Sequence, residues 1–335
     1  MFLVVDGLSR SGKLLLGKIL LTSNSISTQS YTGYLERIIE TIYFDSLENK
    51  NIESLIELLR LYFNHTLEDL RQFRLVSLNP LDSSYFRNSN LYRINKKQID
   101  LGTFKPNFNS KSLFINHTHE SIDFLQYGIS KYNEILKKYI NNYVIIVRNP
   151  AAQILSWYGR NYVENWKNIN ESPFKLYKLK FENNFFKNRG INNVPWYLNE
   201  SFIWAESNTN INKQDLKKFE EKDIISLCVI FLLEKYLSFY RKKNLDIKFK
   251  PIFIMHESIH DKTEKVINNL FQKLKINIYS ESEFKYILKE ISQEKFGIKS
   301  ADYSLKRCQE LSLNLKISAL LNDLHEKYKN LYLSI

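Results

Sequence analysis

Cysteine is almost absent: only two occur in 335 residues, Cys228 inside an apolar helical run and Cys308 near the C-terminus. Two thiols so placed build neither a disulfide framework nor a zinc site, and they predict a reducing compartment. Long apolar runs are missing as well. The longest, Ile224 to Leu233, is too short to span a bilayer. No signal peptide precedes the first apolar run, Phe2 to Val5. The expectation is a cytoplasmic protein without stable membrane insertion. There is also no dense basic block with interleaved aromatics, although 48 basic against 36 acidic residues leave a formal charge of +12. Lys is spread along helix faces among Asn and Ile, so the excess reads as solvated surface, and no nucleic-acid partner is expected. No internal repeat is visible.

What is present is enough apolar material, 44% of the chain, for a sizeable core, expected as one large α/β domain with insertions or a domain plus a helical subdomain. Its organising stretch is the first seventeen residues. Phe2 to Val5 is an apolar run of strand length, Gly7 breaks it into a Ser/Arg/Gly loop, and Leu14 to Leu21 suit a helix. A loop between strand and helix converges backbone N–H groups on an anion, and the helix macrodipole favours negative charge there. Gly7 and Gly12 allow close approach of a phosphate or sulfate ester, while Arg10 and Lys13 supply cations. The pattern G-x-x-x-x-G-K-[ST] matches from Gly7 to Lys13 and then fails, because Leu14 stands where a hydroxyl would bind Mg²⁺.

Further strands are expected near 112–117, 143–148 and 250–256, in addition to 2–6, each followed by a helix. That alternation predicts an open parallel sheet. Ligands of such sheets bind outside the carboxyl ends of the strands, which puts Arg10, Lys13, His117, His119, Arg148 and Glu257 on one edge. The polar stretch 22–32 reads as a loop and 76–110 as irregular. Helices are expected over 35–43, 52–73, 120–140, 151–158, 214–243 and 261–274. Residues 160–212, rich in Asn and aromatics without a clear period, read as an insertion or lid, and 280–335 as a C-terminal helical part.

The segment Val144-Ile145-Ile146-Val147-Arg148-Asn149-Pro150, continuing through Ser156-Trp157-Tyr158, resembles the 3′-phosphate-binding segment of the sulfotransferases that use 3′-phosphoadenosine-5′-phosphosulfate (PAPS). In that family an Arg ends a strand, the next helix opens with Asn-Pro or Asp-Pro, and a Ser eight residues after the Arg faces the same phosphate. Arg148 and Ser156 have that separation. A guanidinium and a hydroxyl on one phosphate give charge-assisted bonds. Arg10-Ser11-Gly12 are similar to the family's 5′-phosphosulfate loop, in which two threonines follow. Here Lys13 and Leu14 replace them, and Lys13 occupies the lysine position of nucleotide kinases.

Phe114-Ile115-Asn116-His117-Thr118-His119 resembles the family's Lys-Thr-His strand. By that match His119 is the catalytic base, with Glu120 the competing candidate, since an imidazole titrating near neutral pH can take a proton from an acceptor hydroxyl. Ile252 to Ile259 is similar to a late family strand whose Glu, here Glu257, has a structural role.

The resemblance implies a single domain over 1–335: a three-layer, P-loop-like open parallel sheet flanked by helices, with helical or irregular insertions. It implies sulfuryl transfer from PAPS, with Arg10, Ser11, Gly12, Lys13 and Leu14 around the phosphosulfate, Arg148 and Ser156 on the 3′-phosphate, and no metal. Either Arg10 or Lys13 assists the leaving phosphate. The expected acceptor is a small molecule or a saccharide, with lipid and protein acceptors also open; Trp157, Trp166, Trp196, Tyr197 and Trp204 form either a carbohydrate-stacking or apolar wall for it or the core of the insertion. The oligomeric state is left open. The rival readings are a P-loop kinase and a catalytically inactive nucleotide-binding protein on the same fold.

Overall fold

The computed structural model describes residues 2–8, 10–20, 22–23, 26–31, several positions between 54 and 64, and 113–118, then 138–158, 196–241, 251–277, 281–293 and 297–334. The expected helix over 35–43, the irregular 76–110 and most of 120–140 lie outside them. The chain is α/β with an open parallel sheet. Its strands are β1 (Phe2–Asp6), β2 (Ile26–Tyr31), β3 (Leu113–His117), β4 (Ile140–Val147) and β5 (Ile252–Met255), in spatial order β2-β3-β1-β4-β5. Every pairing is parallel, so the carboxyl ends share one edge. By packing, the chain divides into two compact units, Met1–Val147 with Lys243–Lys295 and Arg148–Lys242 with Phe296–Ile335.

In the first unit β1 is central, and all five of its residues are buried. That is why Phe2 to Val5 is an unbroken apolar run: a parallel strand covered on both faces has no solvent side to make polar. Helix α1 (Lys13–Leu20) turns Leu15, Leu16, Ile19 and Leu20 into a cluster with Val5, Ile115, Val144, Ile146 and Ile254 of the sheet. Phe63 packs on Phe2 and stacks on Tyr139, at centroid distances of 5.4 and 4.8 Å.

Strand β2 corrects the loop expected over 22–32. Among the described residues, Ile-Ser-Thr-Gln-Ser-Tyr pairs only with β3, at the edge of the sheet. An edge strand needs one ladder, and Ile, Thr and Tyr fit a pleated surface, so few apolar residues suffice.

In the second unit, α2 (Pro150–Tyr158), α3 (Trp196–Asn208), α4 (Lys213–Lys218) and α5 (Glu221–Arg241) are followed, after the return to the first unit, by α9 (Lys299–Gln309) and α10 (Leu315–Ser334). The first unit contributes α6 (His256–Asp261), α7 (Thr263–Leu274) and α8 (Glu281–Gln293). The apolar run Ile224 to Leu233 is buried throughout, because α5 is the helix on which α2, α3 and α10 pack. A helix apolar on all sides belongs in a core. Among the described residues no helix is long and apolar enough to cross a membrane.

Two further corrections concern helices. The expected 214–243 helix is interrupted at Phe219, whose extended ψ of 134° ends α4, and Asp223 Oδ2 then accepts from the Glu220 N–H at 3.0 Å to start α5. Within the expected insertion or lid 160–212, read as having no clear period, the described part forms a regular helix, α3, whose Leu198, Phe202 and Ala205 are buried, and 160–195 lie outside the described residues.

Candidate functional site

The segment from Asp6 to Lys13 leaves the carboxyl end of the central strand and re-enters regular structure at α1. Three residues adopt positive φ: Gly7 at 149°, Arg10 at 71° and Gly12 at 99°. A bond from the Ser11 N–H to the Leu8 carbonyl, 3.1 Å, closes the turn between them. The glycines are required by proximity as well as by φ. A Cβ on Gly7 would lie 2.2 Å from the Ile146 carbonyl oxygen, and one on Gly12 would lie 2.4 Å from Cδ2 of His256. The loop therefore rests on the backbone of β4 and on the imidazole that follows β5.

Two polar side chains inside this loop differ in how they are satisfied. Lys13, only 5% exposed, folds its ammonium back onto the carbonyls of Gly7 and Leu8, the latter at 3.0 Å. Ser11 is 1% exposed, and its Oγ is buried without a hydrogen-bond partner. A buried unpaired hydroxyl is destabilising by roughly 1–3 kcal/mol, and in native structures such a group calls for an explanation: strain, a functional role, or a bound water or ion. Arg10 is on the exposed side of the loop. Leu14 is the second residue of α1.

Asp6, at the end of β1, is fully buried with both carboxylate oxygens engaged. Thr118 Oγ1 donates to Oδ1 at 2.9 Å and the Tyr143 phenol donates to Oδ2 at 2.6 Å. The Thr118 N–H also donates to the Val5 carbonyl at 3.0 Å. This carboxylate joins the carboxyl end of β3 and the strand β4 to the base of the loop. His117, the last residue of β3, is buried beside Val5 and Tyr31 in register. His119 and Glu120 lie outside the described residues.

His256, which sequence reasoning gave no role, is the first residue of α6 and is buried against the loop, its ring centroid 4.8 Å from that of His260. The available signal was that it ends a strand on the same edge as Gly7. Glu257 is buried in the first turn of the same helix.

Arg148 and Ser156 belong to the second unit, and both are half-buried. Asn149 caps α2: its Oδ1 accepts from the Ala152 N–H at 3.2 Å. Pro150 takes the first helical position, where its missing N–H is not needed. Ser156 follows Arg148 by two helical turns. Trp157 is buried and packs on Tyr197 at 5.8 Å, and Trp204 packs on Phe231 of α5 at 5.8 Å. These rings serve the core of the second unit. Trp166 lies outside the described residues.

Both thiols are pushed up to about 12 by burial, which leaves them unionised and poor nucleophiles. Among the described residues no group of three His, Cys, Asp or Glu side chains is placed to hold a metal ion. The Gly7 to Lys13 loop thus brings an unpartnered hydroxyl, an exposed arginine and a buried lysine held by the Gly7 and Leu8 carbonyls to the N-terminus of α1, where the helix dipole favours negative charge. Comparison with protein-family models, with curated proteins and with solved structures found no match.

Proposed function

We propose that this chain is a PAPS-dependent sulfotransferase on a three-layer, P-loop-like sheet. The observation that carries the anion site is the buried, unpartnered Ser11 hydroxyl inside a glycine loop at the start of α1. The choice of PAPS rests on the resemblance of Arg148 and Ser156, on a Pro-started helix directly after β4, to the family's 3′-phosphate segment. In this reading Arg10, Ser11, Gly12, Lys13 and the backbone of Leu14 take the phosphosulfate.

The acceptor oxygen or nitrogen attacks sulfur, the bond from sulfur to the 5′-phosphate oxygen breaks, and adenosine 3′,5′-bisphosphate leaves. The acceptor proton passes to His119 or Glu120. Lys13 and Arg10 offset the charge that develops on the leaving phosphate, and positioning carries much of the rate. The acceptor is a small molecule or saccharide.

A kinase is the second reading, and the position of Lys13 favours it. Against it stand Leu14 and the engagement of both Asp6 oxygens by Thr118 and Tyr143. The test is calorimetry with adenosine 3′,5′-bisphosphate. Wild type binds it, while Lys13→Ala and Arg148→Ala do not; unchanged binding in both variants refutes the assignment. Thermal stabilisation by ATP with Mg²⁺ and not by the bisphosphate would reverse the ranking.

A further inference from the structure

His325 of α10 is completely buried, yet both of its ring nitrogens meet polar partners. Nδ1 lies 3.0 Å from Nδ2 of Asn149, and Nε2 lies 3.2 Å from Oδ1 of Asp302 on α9. Asp302 Oδ1 also accepts from Lys329 Nζ at 3.0 Å. All of these residues belong to the second unit.

The donor inventory orients the chain. Asn149 Oδ1 is committed to the Ala152 N–H, so turning the amide over would sacrifice the cap of α2. Its NH₂ group therefore faces His325, and an amide nitrogen only donates. Nδ1 must accept, which places the ring proton on Nε2, directed at Asp302. This tautomer is assigned from the network. Donation then runs from the Ala152 N–H to Asn149, from Asn149 to His325 and from His325 to Asp302. A second tie holds the same turn of α2: the Cys308 thiol donates to the Ala151 carbonyl at 3.3 Å.

Asn149 is the residue between Arg148 and Pro150. We infer that His325, in its Nε2–H form, is a positioning residue for Arg148: by fixing the Asn149 amide it fixes the backbone that presents the guanidinium, so that little ordering remains for the 3′-phosphate to induce. This inference rests on the sulfotransferase reading. Preorganised charged groups bind more tightly because side-chain ordering is not charged against the ligand.

The test compares adenosine 3′,5′-bisphosphate with adenosine 5′-monophosphate by calorimetry, because the ratio of the two affinities isolates the 3′-phosphate contact. His325→Leu leaves the Asn149 NH₂ without its acceptor and should lower bisphosphate affinity by roughly ten- to a hundredfold while leaving the monophosphate unchanged. His325→Asn, whose amide oxygen can stand at the Nδ1 position, should restore most of the ratio. A purely structural role would weaken both nucleotides together or neither. A wild-type protein that does not distinguish the two nucleotides refutes the sulfotransferase reading, and this inference with it. A wild type that distinguishes them as well as His325→Leu does overturns the inference alone. Should His325→Leu not fold, the imidazole ¹⁵N shifts of wild type decide: a bare Nδ1 and a protonated Nε2 support the inference, and a protonated Nδ1 overturns it.

Discussion

Replacing Gly7 by Ala adds one methyl group to the base of the loop, and the structure leaves it no room. The new carbon would sit 2.2 Å from the Ile146 carbonyl oxygen and 2.7 Å from Ser11 Oγ, at a φ of +149°. Ile146 is held in register with Ile254 on β5, so the obstacle is backbone in the middle of a sheet. The unfavourable φ is destabilising by roughly 1–2 kcal/mol and overpacking by roughly 1–3 kcal/mol. At ~2–4 °C per kcal/mol, melting should fall by on the order of 10 °C. Gly12→Ala meets a different obstacle, the His256 ring at 2.4 Å, which is a side chain and can turn.

The two variants should therefore respond differently to His256→Ala. In the Gly12→Ala background it should recover about 1–2 kcal/mol, the coupling expected of residues in contact, whereas beside Gly7→Ala it should add within ~0.5 kcal/mol. Because two compact units need not unfold together, thermal melts are best paired with amide exchange of β1 and β4, which reports on the first unit. Gly7→Ala melting like wild type, or a Gly12–His256 coupling near zero, would refute the packing described for the loop.

Two other variants probe single positions. Arg10→Gly removes a side chain held at φ 71°, a strain of roughly 1–2 kcal/mol against a glycine entropy cost of roughly 0.5–1 kcal/mol; melting should hold or rise while calorimetric affinity for adenosine 3′,5′-bisphosphate falls. Hydrogen bonds from Lys329 and then His325 hold the Asp302 carboxyl below its ordinary value of 3.8. A depressed carboxylate stabilises the fold above its unfolded pKa and loses that contribution as pH falls through the folded one. The stability gap between wild type and Asp302→Asn, read by denaturant titration, should be constant at neutral pH and close only below 3.8.

The elements legible in the sequence are those whose local pattern equals their environment. Phe2 to Val5 of β1 and Tyr143 to Val147 of β4 are apolar runs buried throughout, as strands covered on both faces require, and the Gly7 to Lys13 loop is written in glycines that the geometry then requires. Pro150 marked a helix start for the reason it holds one, its missing N–H. β2 was hidden because an edge strand is selected by its neighbour: Ser, Thr and Gln in 26–31 say nothing local about pairing with β3. α3 was obscured by abundant Asn and aromatics, although Leu198, Phe202 and Ala205 keep helical spacing. Nothing local foretold the partners of Asp6, since Thr118 and Tyr143 stand 112 and 137 positions away. No window of sequence brings them together. His256 was missed for the same reason, since its contact with Gly12 is made by the sheet and not by spacing.

The structure also moves the emphasis within the loop. From sequence, Lys13 is the unusual residue and the first to question. In the folded chain its ammonium is already held by the Gly7 and Leu8 carbonyls, so an arriving anion would have to exchange those bonds for its own. A charge-assisted bond to a phosphate oxygen is stronger than one to a neutral carbonyl, but the gain is a difference between two satisfied states. Ser11 starts from an unsatisfied one, so its hydroxyl gains a full hydrogen bond when an acceptor oxygen arrives. On the proposed function, Lys13 would set the charge the loop prefers, and Ser11 is the group whose hydrogen bonding anion binding would change most.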